Sequence, residues 1–167
     1  MSTAKTDLYR GLAQELLSLV EGERDFIANA ANLAALLFYG LPEVNWVGFY
    51  LLRQDELVLG PFQGRPACVR IPLGKGVCGT AAQRRETILV EDVHEFPGHI
   101  TCDCASNSEI VVPIVDVDCL IGVLDVDSPL LGRFDGDDRL GLESLVETLV
   151  GSTDFGDWGS GTASTIQ

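Results

Sequence analysis

Between Asn45 and Leu52 the side chains alternate strictly, with Val47, Phe49 and Leu51 on one parity and Trp46, Gly48 and Tyr50 on the other. A repeat of two is the repeat of a strand, and a helix cannot gather it onto one face. The stretch is expected as a β-strand. Upstream the period changes: Leu8, Leu12, Leu16, Leu19 and Val20 recur at helical spacing, and Phe26, Ile27, Ala30, Ala34, Leu37 and Phe38 repeat the pattern. Gly22 separates these two helices, and Gly40 with Pro42 ends the second.

Downstream, shorter strands are expected around Glu56 to Leu59, Ala67 to Ile71 and Ile88 to Val90. A short helix is expected from the Gly74 to Gly79 region to about Arg84. Residues 91 to 108 are polar and aperiodic, and so long an irregular stretch is usually functional or disordered. Glu109 to Val115 and Cys119 to Asp127 read as a hairpin, with Asp116 to Asp118 as its connection. A last helix starts near Asp135 and carries Leu142, Leu145, Val146, Leu149 and Val150. Gly151 to Gln167 is rich in Gly, Ser and Thr and is expected to be frayed. A chain of 167 residues is the size of one domain. The order of elements predicts an α+β domain, an antiparallel β-sheet flanked by helices.

Eleven Lys and Arg stand against 25 Asp and Glu, a formal net charge of −14, so the overall field repels DNA and RNA. No apolar run reaches the roughly 18 residues of a membrane helix. Met1 to Arg10 is polar, with no apolar signal-peptide stretch behind it. Five cysteines without an export signal are expected as thiols in a reducing compartment, the cytoplasm.

The acidic residues are unevenly placed. Arg85 and Arg133 bracket a stretch without Lys or Arg that holds Glu86, Glu91, Asp92, Glu95, Asp103, Glu109, Asp116, Asp118, Asp125 and Asp127. A solvated acidic face explains Asp116 and Asp118 in the turn. Asp125 and Asp127 differ, because they share strand parity with Ile121 and Val123, and like charges two residues apart on one face need a compensating cation. They are either a solvated edge or part of a site for a cationic group. Trp46 and Tyr50, with Gly48 leaving a gap between them, are either core aromatics or a cradle for a small apolar or cationic moiety.

The cysteines at 68, 78, 102, 104 and 119 do not form the paired Cys-x-x-Cys of a zinc site. His94, His99, Cys102 and Cys104 share one loop, but their spacing is a poor ligand pattern and no metal is expected; a metal-binding protein using this loop stands as a further rival reading. Cys119 begins an apolar strand and reads as buried filler. Cys78 lies near the start of the short helix, where unsatisfied N–H groups favour a thiolate. Gly74-Lys-Gly-Val-Cys-Gly79 matches a dinucleotide-binding fingerprint only in its glycines, since no full βαβ unit follows. They read as turn and helix-start residues.

Taken together, NWVGFYLL from Asn45, LGPFQGRPACVRIP from Leu59, GKGVCGTA from Gly74, EDVHEFPGHITCD from Glu91, SNSEIVVP from Ser106 and IGVLDVDSP from Ile121 resemble the free methionine-(R)-sulfoxide reductases, a branch of the GAF domains. The resemblance implies a single GAF domain over residues 1–150, followed by the tail 151–167. It implies reduction of the R epimer of free L-methionine sulfoxide, with thioredoxin restoring the enzyme and no bound cofactor. Cys102 would be the nucleophile, Cys68 the main resolving cysteine and Cys78 an auxiliary thiol lining the site. Glu109, Asp125 and Asp127 would hold the substrate ammonium and the sulfoxide oxygen, and Trp46 and Tyr50 would cradle the methyl–sulfur end. The resemblance leans towards a homodimer.

Cys104 and Cys119 depart from the family pattern, and Cys104 offers a second loop thiol as a competing resolver. The rival from another class is a non-catalytic GAF sensor of a small ligand, which would have no need of Cys68, Cys78 and Cys102 together.

Overall fold

The computed structural model describes residues 3–96 and 105–156. Two helices come first, α1 (Thr3–Leu19) and α2 (Phe26–Gly40), then strands β1 (Trp46–Arg53), β2 (Glu56–Gln63) and β3 (Arg70–Pro72). Helix α3 (Gly76–Arg84), strand β4 (Ile88–Val90) and a 3-10 turn at Val93–Glu95 lead to the hairpin β5 (Ser108–Asp116) and β6 (Cys119–Ser128), and helix α4 (Gly136–Gly151) follows. The strands form one six-stranded sheet in the order β3-β2-β1-β6-β5-β4, antiparallel throughout.

The alternation of β1 decides how the layers stack. Val47, Phe49 and Leu51 face a core shared with α1, α2 and α4, while Trp46 and Tyr50 face a second core with Val77, Cys78, Ala81 and Ala82 of α3. Both faces of the sheet are therefore covered, and α3 is the lid of the smaller side. Gly122 is required at the strand crossing, because a Cβ there would lie 2.1 Å from the carbonyl oxygen of Tyr50.

The expected parity of β6 holds only in part. Asp125 and Asp127 share the α3 side with Val123, but Ile121 packs in the opposite core with α1, α2 and α4. The pairing passes from Ile114–Gly122 to Val115–Leu120, so Ile121 is an extra, unpaired residue of β6, and this bulge reverses the facing of β6 beyond it. Cys119 is exposed rather than buried, because it stands at the hairpin turn, beyond the covered part of the sheet. The tail is also tied down at its start: Thr153 and Phe155 are buried, Phe155 sits 5.6 Å from the Phe26 ring, and the Asp154 N–H donates to the Arg24 carbonyl.

The Asp135 side chain accepts from the N–H groups of Asp137 and Asp138 at the start of α4, and Asp138 returns the bond in a capping box. Asp138 is fully buried and is satisfied by Tyr9, Lys5 and Arg133. Asp135→Ala is expected to cost about 1 kcal/mol of unfolding free energy, the usual value of an N-cap. Urea titration with an unchanged m value checks it.

Candidate active site

Register brings together residues far apart in sequence. On β6, Asp127 stands opposite Trp46 of β1 and Asp125 opposite Gly48. On the other edge of β6, Asp127 faces Glu109 of β5 and Asp125 faces Val111. Directly opposed residues share a face. Trp46, Asp127 and Glu109 therefore form one row across the sheet, with Asp125 in the next row, beneath α3. Cys78, in the first turn of α3, completes the group, its Sγ lying 3.8 Å from Glu109 Oε1. One ligand-type atom from each of Cys78, Glu109 and Asp125 lies within 4.8 Å of the other two.

Glu109 and Asp125 are each only 6% exposed, and Asp127 is half-buried. Burial, followed by the charges of Asp125 and Asp127, holds the Glu109 carboxyl well above the usual carboxylate range. Burial also pushes Asp125 up to about 7, against the opposing pull of hydrogen bonds with Cys78 and Glu109. The two carboxyls interact strongly, and burial pushes both towards the protonated form. Asp125 Oδ1 is buried without a hydrogen-bond partner. A buried acceptor left in that state costs about 1–3 kcal/mol, so the site favours a ligand that donates into it.

The thiolate expected at Cys78 is not what this environment favours. Burial, then the neighbouring Asp125 and Glu109 carboxyls, raises the thiol well above its ordinary pKa. Burial and the two carboxyls outweigh the helix start. The glycines that open α3 follow from geometry: Gly74 has φ +76°, and a Cβ on Gly79 would meet the Pro72 carbonyl oxygen at 2.3 Å.

The gap expected at Gly48 is filled by its neighbour. A Cβ on Gly48 would lie 2.3 Å from the Trp46 ring, so the indole folds across the glycine. Trp46 stacks on Tyr50 at 5.9 Å and on Phe62 at 5.5 Å between ring centroids, and its indole N–H donates to the Arg65 carbonyl. Tyr50 donates its hydroxyl to the Cys68 carbonyl at 3.0 Å. The aromatic pair thus supports the acidic row and also fixes the backbone of the Cys68 loop. Cys68 is disulfide-bonded, whereas Cys78 and Cys119 are free.

Cys102, with His99 and Cys104, lies outside the described residues. The roots of their segment are tightly held. The Val93 N–H donates to the Asn107 carbonyl, the Asn107 N–H donates to the Ser128 carbonyl, and the Asn107 side chain donates to the Pro129 carbonyl at 2.7 Å. His94 Nε2 lies 3.2 Å from Asn107 Oδ1. On the β1 side, Asn45 Nδ2 donates to Ser106 Oγ. Sequence reading missed Asn107 as a clamp; its one signal is an Asn immediately before a strand, where its side chain can bond nearby backbone.

No helix among the described residues is long and apolar enough to cross a membrane. The GAF domain family matches residues 7–151. The free methionine-R-sulfoxide reductase of Escherichia coli is 53% identical over 154 residues, 90% of this chain and 93% of that protein. The structure of fRMsr of Staphylococcus aureus in complex with substrate matches with a TM-score of 0.83 at 54% identity, covering 86% of this chain and 94% of that one. Free methionine-R-sulfoxide reductase from Neisseria meningitidis, in complex with its substrate, matches with a TM-score of 0.85 at 46% identity over 91% of each chain. With a GAF sheet, a buried carboxyl row and relatives of this similarity over nearly its whole length, the chain belongs to the free methionine-R-sulfoxide reductases of the GAF domain family.

Proposed function

We propose that this enzyme reduces the R epimer of free L-methionine sulfoxide with Cys102 as nucleophile, Cys68 as resolving cysteine and thioredoxin as reductant. The Cys102 thiolate attacks the sulfoxide sulfur. The oxygen takes a proton from the Glu109–Asp125 pair, whose burial keeps a proton available at neutral pH. The protonated oxygen passes from the substrate sulfur to the Cys102 sulfur as the new S–S bond breaks and returns its electron pair to the thioether, so methionine leaves and Cys102 is left as a sulfenic acid. The Cys68 thiol condenses with it, forming a disulfide and releasing water. Thioredoxin then exchanges two thiols for that disulfide and is itself oxidised. The disulfide-bonded state of Cys68, with Cys78 and Cys119 free, supports the resolving role.

The observation that carries the substrate reading is the buried acceptor Asp125 Oδ1 beside the Glu109–Asp127 row. A free amino acid brings an ammonium that donates into it. A peptide-bonded methionine sulfoxide brings none, and leaving such buried carboxyls unanswered costs several kcal/mol.

Asp127→Asn keeps size and hydrogen-bonding capacity but removes one charge. Affinity for free methionine-R-sulfoxide is expected to fall by about 1.5–3 kcal/mol, the worth of a hydrogen bond to a charged group. A sulfoxide without the amino group should bind both proteins alike. Two proteins against two ligands isolate the interaction. Equal weakening of both ligands would remove the ammonium reading of Asp127.

A further inference from the structure

We propose that Cys78, Glu109 and Asp125 form a binding site for a thiophilic divalent cation of the zinc class. The three donors come from α3, β5 and β6, and each is buried. Zinc holds sulfur at about 2.3 Å and carboxylate oxygen at about 2.0 Å, so tetrahedral ligands stand about 3.5 Å apart. Cys78 Sγ already lies 3.8 Å from Glu109 Oε1, and all three ligand atoms fall within 4.8 Å of one another. A contraction of about 1.3 Å at most closes the set around an ion.

The second observation is the Asp125 side chain itself, 6% exposed and with Oδ1 unpartnered, which asks for a cation or a donor. An ammonium would answer the carboxyls, but it has no use for a buried sulfur beside them. The thiol is the part of this cluster that the proposed reaction leaves idle. One sulfur with two carboxylate oxygens is a borderline-soft set, which suits zinc or cadmium and does not suit magnesium or calcium. Three protein ligands leave the fourth tetrahedral position to water.

On binding, the Cys78 thiol proton and the proton shared by the carboxyls pass to solvent, the metal takes their places, and no atom changes oxidation state. If the carboxyls also receive the substrate ammonium, as in the reading above, metal and substrate exclude each other. The ion would then act as a reversible inhibitor.

The test uses the full chain with Cys68, Cys102, Cys104 and Cys119 all changed to Ser, so that Cys78 is its one thiol. Cadmium titration is expected to give a thiolate-to-metal charge-transfer band that saturates at one equivalent. Asp125→Asn or Glu109→Gln in the same background should weaken binding at least tenfold, the lower end of what loss of a supporting group does to a metal site. No band, or a band indifferent to both substitutions, overturns the proposal. The reduced native chain compared with Cys78→Ser gives a second reading by difference, and identical bands in those two proteins also overturn it. Free methionine-R-sulfoxide should displace cadmium from the one-thiol protein, which cannot turn it over. If the band survives saturating substrate, the metal site stands and the ammonium reading of the carboxyls fails.

Discussion

Cys102→Ser should reduce single-turnover release of methionine to background, whereas Cys68→Ser should leave the first turnover intact and stall thioredoxin-supported cycling. A serine hydroxyl is not ionised near neutral pH and attacks sulfur poorly, so no sulfenic acid forms and no disulfide can follow. The structure narrows the other candidates. Cys78 is kept protonated by burial and by its carboxyl neighbours. Cys119 stands at the hairpin end of β6 while Asp127 lies near the other end of that strand, about 25 Å away at 3.2–3.4 Å per residue. Rapid-quench measurement of methionine formed per enzyme, without thioredoxin, checks the first variant. Near-native product would transfer the role to Cys104. A mass map of the oxidised native chain should join Cys68 to Cys102, and a dominant Cys102–Cys104 link would displace Cys68 as resolver.

The parts of the fold that follow from local periodicity were legible in the sequence. The alternation of β1 assigned Val47, Phe49 and Leu51 to one core and Trp46 and Tyr50 to the other, which is how they pack. β4 falls on Ile88–Val90 as expected, and α4 starts after Asp135 because the carboxyl there is a cap. The failures come from effects that periodicity does not carry. Ile121 changes face because it is the extra residue of a bulge in β6 itself, which strict alternation along the strand does not anticipate. The Gly48 gap looked open because composition does not reveal that the Trp46 ring lies across it. Cys78 looked like a helix-start thiolate because its carboxyl neighbours lie 31 and 47 positions further along the chain and meet it only through sheet register. The same separation hides the cluster as a set of metal ligands, since zinc patterns are read from short spacings and this one has none. Asp125 and Asp127 were visible as an anomaly, two carboxyls at the end of an apolar face. That Asp127 shares a row with Glu109, with Asp125 in the next row, is a property of strand pairing.

Asp125→Asn should make the ligand-free protein more stable than the native chain at neutral and higher pH, and the gain should vanish in acid. An ordinary aspartate loses its proton near 3.9 in the unfolded chain, whereas burial lifts Asp125 to about 7 in the folded one. Between those values the folded state binds more protons than the unfolded state, so native stability falls as pH rises through that window and levels off above 7. A displacement of about three pK units corresponds to at most about 4 kcal/mol, with Glu109 sharing the effect because the two carboxyls titrate together. Asparagine cannot ionise, and it also relieves the Glu109 carboxyl of a neighbouring charge. The free-energy difference between variant and native protein should therefore be small at pH 4, grow in favour of the variant up to about pH 7, and stay constant beyond. Urea midpoints at pH 4, 5, 6, 7 and 8 with a constant m value measure that curve. A difference independent of pH would mean that Asp125 is ionised in the folded state without cost, and the proton assigned to the carboxyl pair would have to come from elsewhere. The variant should gain stability while losing affinity for free methionine-R-sulfoxide. That combination is expected where a cluster of buried carboxyls is kept for a ligand rather than for the fold.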